Sequence, residues 1–189
     1  REPYAPDRNF NDGQHLVDSF LGNTTNFTYL PRVGRRAVMN ESDHLVVAAL
    51  VPSTQGQANG LNNIGLVRYR NDDSLVGWPT PTPAYAVPGN DHLIYPNDPN
   101  ANIVDIKGLK TRGGMNLVLV EKQFSANDRD VHVVVFDSDG VFRSDVRVFG
   151  SSNNETGAIL EAWQDDDGQI YVVAMANVYI GDLARPQFR

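Results

Sequence analysis

The chain has 189 residues, no cysteine, 41% hydrophobic and 21% charged residues, and a formal net charge of −7. One domain, or at most two small ones, fits that length, and the composition excludes a disordered chain, a disulfide scaffold, a Cys-ligated zinc site and a thiol nucleophile. The acidic balance argues against nucleic acid and anionic membranes as partners.

Of the acidic residues 18 are Asp and 5 are Glu, and Asn occurs 18 times and Val 22 times. Asp and Asn favour turns and Val favours strands, so the composition predicts short strands joined by polar turns. Taken from the N-terminus, Asp7 to Gly13 is a polar opening, and His15 to Leu21 could form two helical turns. Triplets beginning at Asn23, Asn26, Asn40 and Asn154 fit the N-glycosylation pattern and read as turn chemistry. The longest apolar run, Leu45 to Val51, is far short of the ~20 residues that cross a bilayer, so no membrane insertion is expected. Ile64 to Arg70 reads as a strand that ends at the turn Asn71-Asp72-Asp73-Ser74. Trp78 to Pro99 carries six prolines and reads as a surface loop that opens with a polyproline-like segment. Ile106 to Val120 reads as a hairpin around Gly113-Gly114. Val131 to Phe136 is apolar apart from His132 and predicts a strand buried on both faces. Ile159 to Ala174 repeats the strand, turn, strand pattern around Asp167-Gly168, although Ile159 to Trp163 could also turn helically. A further strand is expected near Val178 to Gly181.

The three hairpins at Ala37–Ala49, Ile106–Val120 and Ile159–Ala174 line up as an internal repeat, each followed by a further strand. Asp7 to Gly13, Ile64 to Leu75 and Val133 to Phe142 resemble the opening and closing phrases of the delta-60 repeat family. That resemblance implies β-propeller-like blades and an extracellular or periplasmic setting, and implies no activity. An N-terminal Arg1 and the absence of cysteine suit a mature exported chain. The expectation is a single all-β domain over residues 1–189, with approximate antiparallel repeats at 7–77, 78–149 and 150–189, the last incomplete. Three blades cannot close a ring of about 4–8. The chain therefore reads as a partial propeller completed by another copy or by another polypeptide of the same assembly, unless the units form a sandwich, barrel or trefoil.

No nucleophile motif is present. His15, His44, His92 and His132 lack the spacing of a metal pair and read as core or edge imidazoles. Asp137 with Asp139, and Asp165 with Asp167, flank Gly turns and could supply oxygens to calcium, but each set lacks the full loop pattern. The turn reading leads, and no cofactor is expected. Trp78 is the residue singled out for ligand binding. The leading expectation is a non-catalytic association module. The alternative is a secreted hydrolase of polysaccharide or peptide, or its regulatory part, using carboxylates such as Asp105, Glu121 and Glu161.

Overall fold

In the computed structural model, residues 34–52, 62–72, 74–81, 91–95, 101–180 and 183–188 are described, and every regular element among them is a strand. The proposed opening at Asp7 to Gly13, the helical turns at His15 to Leu21 and the triplets at Asn23 and Asn26 lie outside these residues.

Eleven strands form three antiparallel meanders. The first comprises β1 (Gly34–Met39), β2 (Leu45–Pro52), β3 (Asn62–Tyr69) and β4 (His92–Tyr95) in sequence order. The second comprises β5 (Asn102–Arg112), β6 (Met115–Ser125), β7 (Asp128–Asp137) and β8 (Phe142–Phe149), again each beside the next. The third comprises β9 (Asn154–Gln164), β10 (Ile170–Ile180) and β11 (Leu183–Phe188). A single parallel bridge, Arg129 to Asn154, ties β9 to β7. The opening strands of the meanders run alongside one another, β1 against β5 and β5 against β9. Arg36 Nε donates to the Lys107 carbonyl at 3.0 Å, and the Gly113 N–H donates to Glu41 Oε1 at 2.9 Å.

Alternation along the strands decides the packing. In the first sheet Val46, Ala48, Leu50, Ile64 and Leu66 point to one side. They pack against Ile103, Ile106, Val118, Val120, Val134 and Phe136 of the second. The other side of the first sheet buries Ala49, Val51, Val67 and Tyr69. The second sheet is apolar on its far side too, where Leu117, Leu119, Val131 and Val133 meet Leu160, Ala174 and Ala176 of the third. Val131 to Phe136 is thus buried on both faces, as its continuous apolar run predicts. Gly108 makes the second contact possible: a Cβ there would stand 2.8 Å from Leu160 Cβ.

Ile159 to Trp163 lies in β9, as the repeat alignment predicts, and each residue from Ile159 to Gln164 has a partner on β10. Two expectations change in detail. The strand expected at Val178 to Gly181 is the far end of β10, whose pairing with β9 runs on to Tyr179, and the next strand starts at Leu183. The first meander also reaches Tyr95, beyond residue 77. Its fourth strand is interrupted: the Val76 N–H donates to the Arg68 carbonyl, and the following register position, Val67, is filled by His92. The described start of the proline-rich stretch, Trp78 to Pro81, leaves that strand.

The two closing phrases fold alike. Tyr69 bridges Leu75 as Phe136 pairs with Phe142. Arg70 N donates to the Ser74 carbonyl as Asp137 N donates to the Val141 carbonyl.

Candidate functional site

The Asp-Gly turns are explained by their own backbone. Asp137 Oδ1 accepts from the N–H groups of Asp139 and Val141, both at 2.9 Å, while Oδ2 accepts from Arg143 Nε at 3.0 Å. Asp165 Oδ1 accepts from Asp167 at 3.1 Å and Gln169 at 2.8 Å. Asn40 does the same for Ser42 and His44. The fourth residue of each turn, Asp43, Gly140 or Gly168, has φ of 57°, 88° or 83°, the left-handed conformation that Gly and Asp tolerate. Burial pushes the Asp137 carboxyl up, but the Val141, Arg143 and Asp139 donors outweigh it and hold the group below its ordinary value. The uncharged Asn40 fills the same acceptor role, so the hydrogen bonding of these turns does not require a charge. Asp139 and Asp167 are exposed. Among the described residues no three His, Cys, Asp or Glu side chains are grouped so as to hold a metal ion.

Trp78 is 1% exposed. It opens the proline-rich stretch and seats its ring beneath Arg68, whose guanidinium carbon lies 4.0 Å from the ring centroid. Arg68 also donates to the carbonyls of Gly77 and Ser138, and Thr80 N donates to the Asp139 carbonyl at 3.0 Å. The segment therefore clasps the first meander to the β7–β8 turn, and the ring that carried the ligand expectation belongs to the core.

The three candidate carboxylates divide. Asp105 and Glu121 are cross-strand partners, and Lys107 Nζ stands 2.9 Å from Asp105 Oδ2 and 3.7 Å from Glu121 Oε1. Glu121 is 1% exposed. It also accepts from Arg129 at 3.0 Å and from the Gly157 N–H at 3.1 Å, so it joins β5, β6, β7 and β9. Burial raises its pKa against the pull of Lys107 and Arg129. Glu161 is exposed and pairs with Lys110 at 3.0 Å.

His132 has Asp145 as its partner, 2.7 Å from Nδ1. Asp145 also accepts from Lys122 and from the Tyr95 hydroxyl at 2.5 Å. Burial pushes Asp145 up, but the His132, Lys122 and Tyr95 hydrogen bonds overcome it and hold the carboxyl well below the carboxylate range. This cluster joins β4 to β6, β7 and β8, and its spacing along the chain hides it. His44 has its pKa lowered by burial and by the nearby Arg68 and Arg70. His92 is buried at the start of β4, and His15 lies outside the described residues.

The site that remains open is a sheet face. Register puts Ile159 opposite Met175, Glu161 opposite Val173 and Trp163 opposite Tyr171, all on the side of the third meander turned away from the second. Ile159, Trp163 and Tyr171 are 44%, 45% and 44% exposed. The two rings stack with centroids 5.4 Å apart and planes 12° from parallel. The exposed Asp166 and Asp167 stand at the hairpin tip beside them.

No protein-family model matches this chain, and neither a curated protein nor a solved structure matches it.

Proposed function

We propose that this chain is a non-catalytic, β-propeller-like module that works by association. The three meanders are read as blades of a partial ring in an exported protein. The stacking of opening strands and the shared closing turns support that reading, and the delta-60 resemblance agrees with it.

One observation carries the association: the outer face of β9 and β10 exposes Ile159, Trp163 and Tyr171, whereas both faces of the second sheet are covered. The occupant is a second copy of the chain. The first sheet has already buried its outer face through Ala49, Val51, Val67 and Tyr69. Among the described residues the β9–β10 face is the apolar sheet face left open. An assembly closed at one end and open at the other pairs face to face and stops at a dimer.

Light scattering on size-exclusion fractions tests this. The expected result is twice the 20.9 kDa chain mass, reduced to the single mass by Ile159→Glu or Trp163→Glu. A wild-type monomer at ~100 μM, weaker than a specific interface supports, overturns the proposal.

A further inference from the structure

Where the third meander meets the second, buried oxygens outnumber their donors. Arg129 and Asn154 form the one backbone bridge, reinforced by the Arg129 N–H donating to the Asn153 carbonyl at 3.2 Å. Around it stand Asp128 and Asp130 from β7 and Asn154 and Glu155 from β9. Glu155 is 1% exposed and Asp130 4%. Asp128 Oδ1, Asp130 Oδ1, Asn154 Oδ1 and Glu155 Oε2 are all buried without a hydrogen-bond partner.

The nearby donors do not reach these oxygens. Arg129 Nη1 is committed to Glu121 within the second meander, and its buried Nε has no partner either. Arg147 reaches Asp130 at Oδ2, 3.4 Å away, and leaves Oδ1 bare. Lys122, the cross-strand partner of Asp130, points its ammonium at Asp145. The Ser151 hydroxyl serves Glu155 Oε1 and leaves Oε2 bare. Gly150 closes the remaining space, since a Cβ there would lie 2.8 Å from Asp130 Oδ2.

A buried carboxylate oxygen with no donor costs several kcal/mol unless a cation or a proton satisfies it. A proton on one of these carboxylates removes a buried charge and supplies a donor to its neighbours. We infer that the seam between the second and third meanders is held by a proton on Glu155, and that losing it loosens the start of β9 from β7. Protonated, Glu155 is a neutral donor among Asp128, Asp130 and Asn154. Ionised, it adds a negative charge beside the buried Asp130 and the half-buried Asp128. Burial raises its pKa first, Ser151 partly offsets this, and Asp130 and Asp128 push it up further. A group raised in the folded state stabilises fully below its unfolded value, about 4.3. That contribution falls away as pH rises through the folded value.

Amide hydrogen exchange, corrected for intrinsic rates, reads this at Glu155 to Ile159 from about pH 4, below the unfolded value, up to pH 8. Wild-type protection should fall by about tenfold for each unit by which the carboxyl is raised. Glu155→Gln, neutral at every pH, should abolish the slope and exceed wild type at pH 8. Asp130→Asn, which removes a neighbouring charge, should flatten it in part. A flat wild-type profile overturns the inference without needing any variant. So does a Glu155→Gln protein that keeps the wild-type slope, or protection at pH 8 that 1 mM calcium restores.

Discussion

Trp78→Ala separates packing from ligand binding. The ring is fully enclosed, so its removal leaves a cavity between the first meander and the β7–β8 turn; large aromatic truncations of this kind cost about 3–5 kcal/mol. Arg68 loses the face it stacks on, and a desolvated cation–π contact is worth about 2 kcal/mol. The sum, about 5–7 kcal/mol, is comparable with the whole stability of an ordinary domain, about 5–15 kcal/mol. For a chain of this size it lowers the thermal midpoint by roughly 10–25 °C. Far-ultraviolet circular dichroism through a thermal ramp measures that shift. Fluorescence gives an independent check, because Trp78 and Trp163 are the two tryptophans. With Trp163→Phe the remaining emission should resist a soluble quencher; with Trp78→Phe it should be quenched readily. A Trp78→Ala protein within about 1 kcal/mol of wild type, or a readily quenched Trp78, would refute the packing argument.

Asp145→Asn keeps the shape of its side chain but leaves the buried Lys122 ammonium without a counter-charge, an expected loss of about 3–5 kcal/mol at pH 7 in urea titration. Because Asp145 is depressed in the folded state, its contribution is present above the ordinary aspartate value, about 3.9, and is lost as pH falls below it. The variant's acid limb should therefore be shallower than wild type. Gly108→Ala should cost about 1–3 kcal/mol by forcing β5 away from Leu160, and an unchanged urea midpoint would mean that the two sheets do not touch there. Asp165→Ala should cost about 1–2 kcal/mol through the two turn hydrogen bonds that its Oδ1 accepts, while a chelator leaves the wild-type thermal midpoint unmoved. A chelator-dependent fall in that midpoint would restore calcium to the turn.

What the sequence reveals is local. Each hairpin is visible because a turn residue of fixed role sits between two apolar runs, and the match between Ile64–Leu75 and Val133–Phe142 reappears as the same bridge and the same turn bond. The double burial of Val131 to Phe136 follows from its lack of alternation. What stays hidden depends on which meander faces which. Asp145 lies 13 residues from His132 and 50 from Tyr95. No spacing rule joins them, and only the docking of β4 beside β8 does. Glu121 looked like a catalytic candidate at a strand end. It is enclosed because β9 arrives over it with the Gly157 amide. Trp78 misled for a related reason: proline-rich sequence signals a loop, and nothing local says that the loop folds back to plug the core.

The third meander carries the association proposal. A sheet with one face in water alternates apolar inward with polar outward. Here the inward positions hold Leu160 with the small Ala162, Ala174 and Ala176, packed against Leu117 and Leu119. The outward positions hold Glu161 together with Ile159, Trp163, Tyr171, Val173 and Met175. An outer face this apolar is not what one-sided burial selects. The run from Ile170 to Ala176 reads like Val131 to Phe136, which is covered on both sides. Asp166 and Asp167 keep the hairpin tip hydrated without covering that face. The sequence of β10 thus has the apolar character of a strand covered on both sides, and the proposed dimer through Trp163 and Tyr171 would supply the second neighbour.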